Sequence, residues 1–217
     1  MIENNMIMDF SIIKSRKNVF ALLSIVFLLS SVLKSVNIHS FALETRMYID
    51  VYMNNWLRPL AMTGAMTVCV IEMLIALLAL KKAYRRIITT GFFFMLSFFV
   101  YLTGLNLFFP TIMGSIESCG CFGELIHFTP LASFIKSMVL WGLSLLLVVE
   151  SHRSHDPWNI SKLMRDKYFY ISIVVSMVLP LYSFWFFERL NHTGYIIGFV
   201  ALCIVLSLVV IMSLRHK

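Results

Sequence analysis

The sequence predicts an all-α integral membrane protein with six transmembrane helices, and three observations carry that prediction. Hydrophobic residues make up 59% of the 217 positions and charged residues only 13%, with a mean hydropathy of +0.85. A soluble domain could not cover so much apolar surface with so few charges. Six apolar stretches are each close to the ~20 helical residues that a bilayer core requires. Finally, the Lys and Arg residues fall in short clusters between those stretches, as the positive-inside bias produces.

The stretches run, in order, over Val19–Val36, Pro59–Leu80, Ile87–Phe109, Leu131–Val149, Tyr168–Phe187 and Tyr195–Met212. Lys14, Arg16 and Lys17 precede the first, which reads as an uncleaved span because its apolar run is long and lacks a small-x-small cleavage site. Between the first and second spans, Tyr48, Tyr52 and Trp56 recur at i, i+4, i+8, the spacing of an interfacial helix laying aromatic rings on headgroups. Pro180 falls inside the fifth span, where neighbouring helices can tolerate a kink.

Charge sets the expected orientation. With the N-terminus inside, thirteen Lys and Arg residues lie on the cytoplasmic side, in the clusters around Lys14–Lys17, Lys81–Arg86, Arg153–Lys167 and Arg215–Lys217. Five remain outside: Lys34, Arg46, Arg58, Lys136 and Arg189. Both termini are therefore expected in the cytoplasm, and the loop over residues 110–130 faces outward. The net charge of +7 is a matter of topology, since no basic stripe with interleaved aromatics suggests nucleic-acid binding.

Two places could carry chemistry. The first is the outward segment "SIESCGCFGELIHFTP", with Cys119 and Cys121 one residue apart. Disulfides persist in an outer compartment, and Gly120 gives the backbone freedom to bring two such close cysteines together. The resulting ring would be small and strained, hence readily reduced, and too short for a staple to gain much entropically. Gly123 and Glu124 complete the turn, while Cys119, Cys121 and His127 form an alternative but sparse metal set. The residues alone leave a redox pair, a metal site and an incidental or structural pair open. The second place is Glu72 in "TVCVIEMLIALLAL". A carboxylate there must face the bundle interior, find a partner or stay protonated. No cation is evident at its depth: counting along each helix at ~1.5 Å per residue sets Lys136 well above Glu72, so Lys136 is expected to snorkel outward. Cys69 and Cys203 read as packing residues within apolar runs.

The run "ESCGCFGELIHFTPLASFIKSMVLWGLSLLL" resembles the MauE family and its DoxX-like relatives, which are bacterial inner-membrane proteins. The match is CGCFG followed by an acidic residue, then Thr129 and Pro130 opening a helix with Lys136 early in it. "IEMLIALLAL" is similar to that family's second helix, with Glu72 at the acidic position. The resemblance implies a four-helix core over residues 1–150 with the periplasmic CGC loop, and a cytoplasmic loop plus two additional spans over 151–217. It also implies thiol–disulfide redox chemistry at Cys119 and Cys121, supporting maturation of periplasmic proteins. A periplasmic thioredoxin-fold protein is then the expected partner besides the lipid bilayer. A membrane quinone is a possible cofactor, with Glu72 and Lys136 as proton or quinone candidates. The alternative is a non-catalytic scaffold or small-solute transporter whose CGC loop is structural or binds metal.

Overall fold

The computed structural model describes residues 2–52, 55–81, 84–109, 129–153 and 160–215, with side chains from residue 17 onward except at 52 and 55. Every regular element among them is helical: α1 (Ile2–Val36), α2 (Ile38–Tyr52), a 3-10 turn (Asn55–Leu60), α3 (Ala61–Ala79), α4 (Arg85–Phe108), α5 (Pro130–Arg153), α6 (Ile160–Arg165), α7 (Lys167–Phe186) and α8 (His192–Arg215). Six of these segments are long and apolar enough to cross a bilayer, from Lys17–Val36 to His192–Arg215, and they match the six predicted stretches to within a few residues. The protein is a multi-pass membrane protein.

The core follows from where small and large side chains sit along each helix. On α5, Ser133, Ser137, Ser144 and Ser151 are all buried; on α7, Ser172, Ser176 and Ser183 are. Small residues four or seven apart let backbones approach closely where lipid offers no hydrophobic drive for helices to associate. The outward faces are apolar instead: on α8, Ile197, Val200, Ile204, Leu208 and Ile211 project from the bundle. α3 is central and packs on α1, α2 and α7, while α4 lies along α5 and α8 rests chiefly on α7. Aromatic rings pack within the core, with Phe27 and Phe92 edge to face at 4.7 Å. Trp141 of α5 donates its indole N–H to Ser97 of α4 at 2.9 Å, joining that pair by more than dispersion.

At one end of the bundle, Asp166 ties the α3–α4 connection to the start of α7. Its side chain caps α7 by accepting the Tyr168 N–H at 3.0 Å, and it also accepts from Lys81 Nζ and the Tyr84 hydroxyl. Tyr168 extends the same clasp, donating to the Leu77 carbonyl at 2.7 Å beneath the Lys81 ammonium. Burial pushes the Asp166 carboxyl up, but its bonds to Lys81, Tyr84 and the backbone outweigh this and hold it below the usual carboxylate range. Burial, then the Asp166 carboxylate, push the Tyr84 phenol up.

The segment after α1 differs from the expected interfacial helix in its packing. It is helical, but α2 packs along α3, with Ile38 and Ala42 buried against Ala65 and Cys69. Thr45 lies 3.6 Å from where a side chain at Gly64 would begin, so the two helices come close there. The Tyr48 side chain is half-buried on this packed helix, while Trp56 is exposed in the 3-10 turn. Burial of Ile38, Ala42 and Ile49 at helical spacing, which outranks the aromatic spacing, is the physical reason.

Candidate functional site

The junction between α1 and α2 creates the site. The first turns of α3 are occupied by α2, so Glu72, roughly 16 Å along α3 from Ala61, comes level with the last turn of α1. The pairings run antiparallel. Ser31 donates to the Met73 sulfur at 3.6 Å, and Lys34 Nζ donates to Glu72 Oε1 at 2.7 Å. The Lys34 and Glu72 side chains are 0% and 2% exposed. Ser30, one turn before Lys34, donates to Glu72 Oε2 at 3.3 Å. The carboxylate thus receives an ammonium and a hydroxyl from one face of α1. The ammonium in turn lies over two rings, 4.4 Å from the Phe99 centroid and 5.1 Å from that of Phe41.

This corrects two expectations. A cation does stand at Glu72, and it is Lys34, which the charge count had placed at or near the outer side. Lys136 does not snorkel away. Its Nζ is buried, and it lines one cavity with Glu72, Ser30 and Ser137, walled by Phe27, Leu96 and Phe99. Depth counted separately along each helix failed because α3 begins alongside α2, so the two helices share no common zero. The cavity volume is about 30 Å³, above the roughly 10–15 Å³ needed to admit a water molecule.

Sequence reasoning missed Lys34 and Ser30. The signal was present in "SSVLKSV": Ser30, Ser31, Lys34 and Ser35 recur at i, i+1, i+4 and i+5, a polar stripe on an otherwise apolar helix. All four are buried. Cys69, one turn from Glu72 on α3, is a fully buried free thiol, and Cys203 is a half-buried one. Among the described residues no three His, Cys, Asp or Glu side chains gather as a metal site. Cys119, Gly120, Cys121, Gly123, Glu124 and His127 lie outside the described residues, in the connection from α4 to α5.

The bundle, its buried pair and the cysteine-bearing connection can now be set beside known proteins. A family model described as methylamine utilisation protein MauE matches residues 11–150, which include α2 to α4 and most of α1 and α5. The chain belongs to the MauE family. The matched region contains Lys34, Glu72, Lys136 and both cysteines of the CGC motif, while α7 and α8 lie beyond it. The chain is also 26% identical over 166 residues to protein TlpB of Flavobacterium psychrophilum, covering 74% of this chain. It spans 42% of that relative's length. No solved structure matches.

Proposed function

We propose that this MauE-family protein is a thiol–disulfide exchange protein of the bacterial inner membrane, acting through Cys119 and Cys121 to support maturation of periplasmic proteins. The observation that carries the proposal is the Cys-Gly-Cys motif, set within the family-matched region between two spanning helices. Orientation is part of the proposal. The connections rich in Lys and Arg lie after α3 and α5, whereas the CGC motif follows α4, at the opposite end of alternating spans. With the basic ends cytoplasmic, the motif faces the periplasm, where disulfides persist.

The chemistry is an exchange. A thiolate of the pair attacks a disulfide of a periplasmic thioredoxin-fold partner, forming a mixed disulfide and releasing one partner sulfur. The second cysteine then attacks the first, closing the Cys119–Cys121 disulfide and freeing the partner as a dithiol. Two electrons and two protons pass to the partner, and the same steps in reverse reduce the pair. A quinone is a different matter. Ser30, Ser137 and Lys136 line the cavity and would be the donors to its carbonyls were one bound there. The exchange steps above need no quinone. Glu72 and Lys136 line a buried polar cavity with room for water, a setting in which titratable groups often carry function.

Trapping tests the proposal. With Cys121 replaced by Ala, Cys119 should accumulate a mixed disulfide with a periplasmic protein in living cells, and the trapped band should vanish under reductant. Absence of any adduct from either single variant, with both expressed normally, would overturn the exchange reading.

A further inference from the structure

The last two spans lie outside the family match, yet they reach the end of the helix whose Lys34 holds Glu72. Tyr195 on α8 is buried, and its hydroxyl donates to the Val36 carbonyl at 2.7 Å. Val36 ends α1, two residues after Lys34, and the last carbonyls of a helix have no partner within it. The same hydroxyl lies 2.8 Å from Ser183 Oγ, which is fully buried on α7. On the other side of the break at Asn37, the His39 ring of α2 stacks on Phe187 at 5.1 Å and on Phe184 at 6.3 Å. Tyr195 packs edge to face on Phe187 at 5.4 Å, so one aromatic group on α7 and α8 grips both sides of the junction.

We propose that α7 and α8 form a brace that fixes the α1–α2 junction and thereby positions Lys34 against Glu72, with Tyr195 as the positioning residue. A rotation or slide of α1's last turn moves Lys34 directly, since its Cα lies only two residues from the carbonyl that Tyr195 holds. The Lys34 ammonium is then the place to look for the effect. The inference concerns geometry alone and stands or falls separately from the exchange chemistry at Cys119 and Cys121.

The test replaces Tyr195 with Phe, which removes the hydroxyl and keeps the ring edge to face on Phe187. The readout is the Lys34 ammonium signal in protein carrying nitrogen-15 lysine, assigned with Lys34→Arg, which keeps the charge. An ammonium locked in a buried pair exchanges its protons slowly and gives a sharp line. In Tyr195→Phe that line should broaden or shift, with the thermal midpoint within a few degrees of wild type. Tyr182→Phe is the control: it removes a hydroxyl from the same cluster, one bonded to the Tyr195 carbonyl at 3.3 Å and not to α1, and should leave the signal in place. Should Tyr195→Phe fail to fold, Ser183→Ala perturbs the same hydroxyl more gently and should produce a smaller change of the same kind. An unchanged Lys34 line in the folded Tyr195→Phe protein, or in Ser183→Ala where that is the variant that folds, would overturn the brace. So would an equal change in Tyr182→Phe.

Discussion

Glu72→Gln is the perturbation that best separates a paired carboxylate from a neutral one. A protonated Glu72 would barely notice the change, because an amide keeps the shape and hydrogen-bonding capacity of the neutral acid. The structure predicts otherwise. Glu72 is 2.7 Å from Lys34, whose side chain is wholly buried, so the variant strands an ammonium inside the bundle. Breaking a buried pair from one side costs about 3–5 kcal/mol. An independent bound agrees: Lys34 can escape by losing its proton, and neutralising a lysine of ordinary pKa at pH 7 costs about 4.6 kcal/mol. Lys136 on the same cavity wall offers no relief, being a second cation. Lys34→Met leaves the carboxylate with the Ser30 hydroxyl and with Lys136 on the cavity wall, so its cost is bounded by the about 3.7 kcal/mol of protonating it at pH 7. The double variant Lys34→Met, Glu72→Gln strands no charge and should cost far less than the sum of the singles. The assay is equilibrium unfolding in mixed micelles of increasing SDS content, followed by far-UV circular dichroism. Single costs near 3–4 kcal/mol with a coupling of about 2 kcal/mol or more would support the pair. Costs below about 1 kcal/mol that add within about 0.5 kcal/mol would refute the reasoning.

Four further outcomes are expected. Asp166, whose folded carboxyl sits below the ordinary range, adds stability that is present above its unfolded pKa of about 3.9 and is lost as pH falls through the lower folded value; Asp166→Asn should flatten the acid limb of a plot of unfolding midpoint against pH. Asp166→Ala also removes the cap of α7 and should cost about 1 kcal/mol at neutral pH, read in the same SDS titration. An impermeant thiol reagent should label reduced Cys119 or Cys121 in intact spheroplasts, and labelling only after permeabilisation would reverse the proposed orientation. Replacing both Cys119 and Cys121 with Ser should leave the thermal midpoint nearly unchanged, because so short a ring contributes little by constraining the unfolded chain; a drop of tens of degrees would make the pair structural.

The spans were legible because a bilayer demands length and apolarity, and both are properties of composition along the chain. Packing within the bundle was less so. Ser133, Ser137 and Ser144 on α5 mark the buried seam, but hydropathy scores a serine as a weakness in a span and says nothing of what it touches. The role of α2 was also hidden. Its Tyr48 and Tyr52 fit an interfacial helix by spacing, and only the contacts with Ala65 and Cys69 reveal that its apolar side was already committed to α3.

Half of the site was legible and half was not, for one physical reason. Glu72 announced itself, since a carboxylate in an apolar helix is costly and must be answered somewhere. Its answer was assigned by depth, and depth is a property of the assembled bundle. Lys34 stands two residues from the end of α1, so it reads as a boundary residue in any count that treats helices as separate rods spanning one slab. Once α2 takes the first turns of α3, that same position becomes the level of Glu72. A better rule for such chains follows: a lone intramembrane charge should first be matched to a polar stripe on another helix. Ser30, Ser31, Lys34 and Ser35 form that stripe, and they sit on the helix that Glu72 in fact faces.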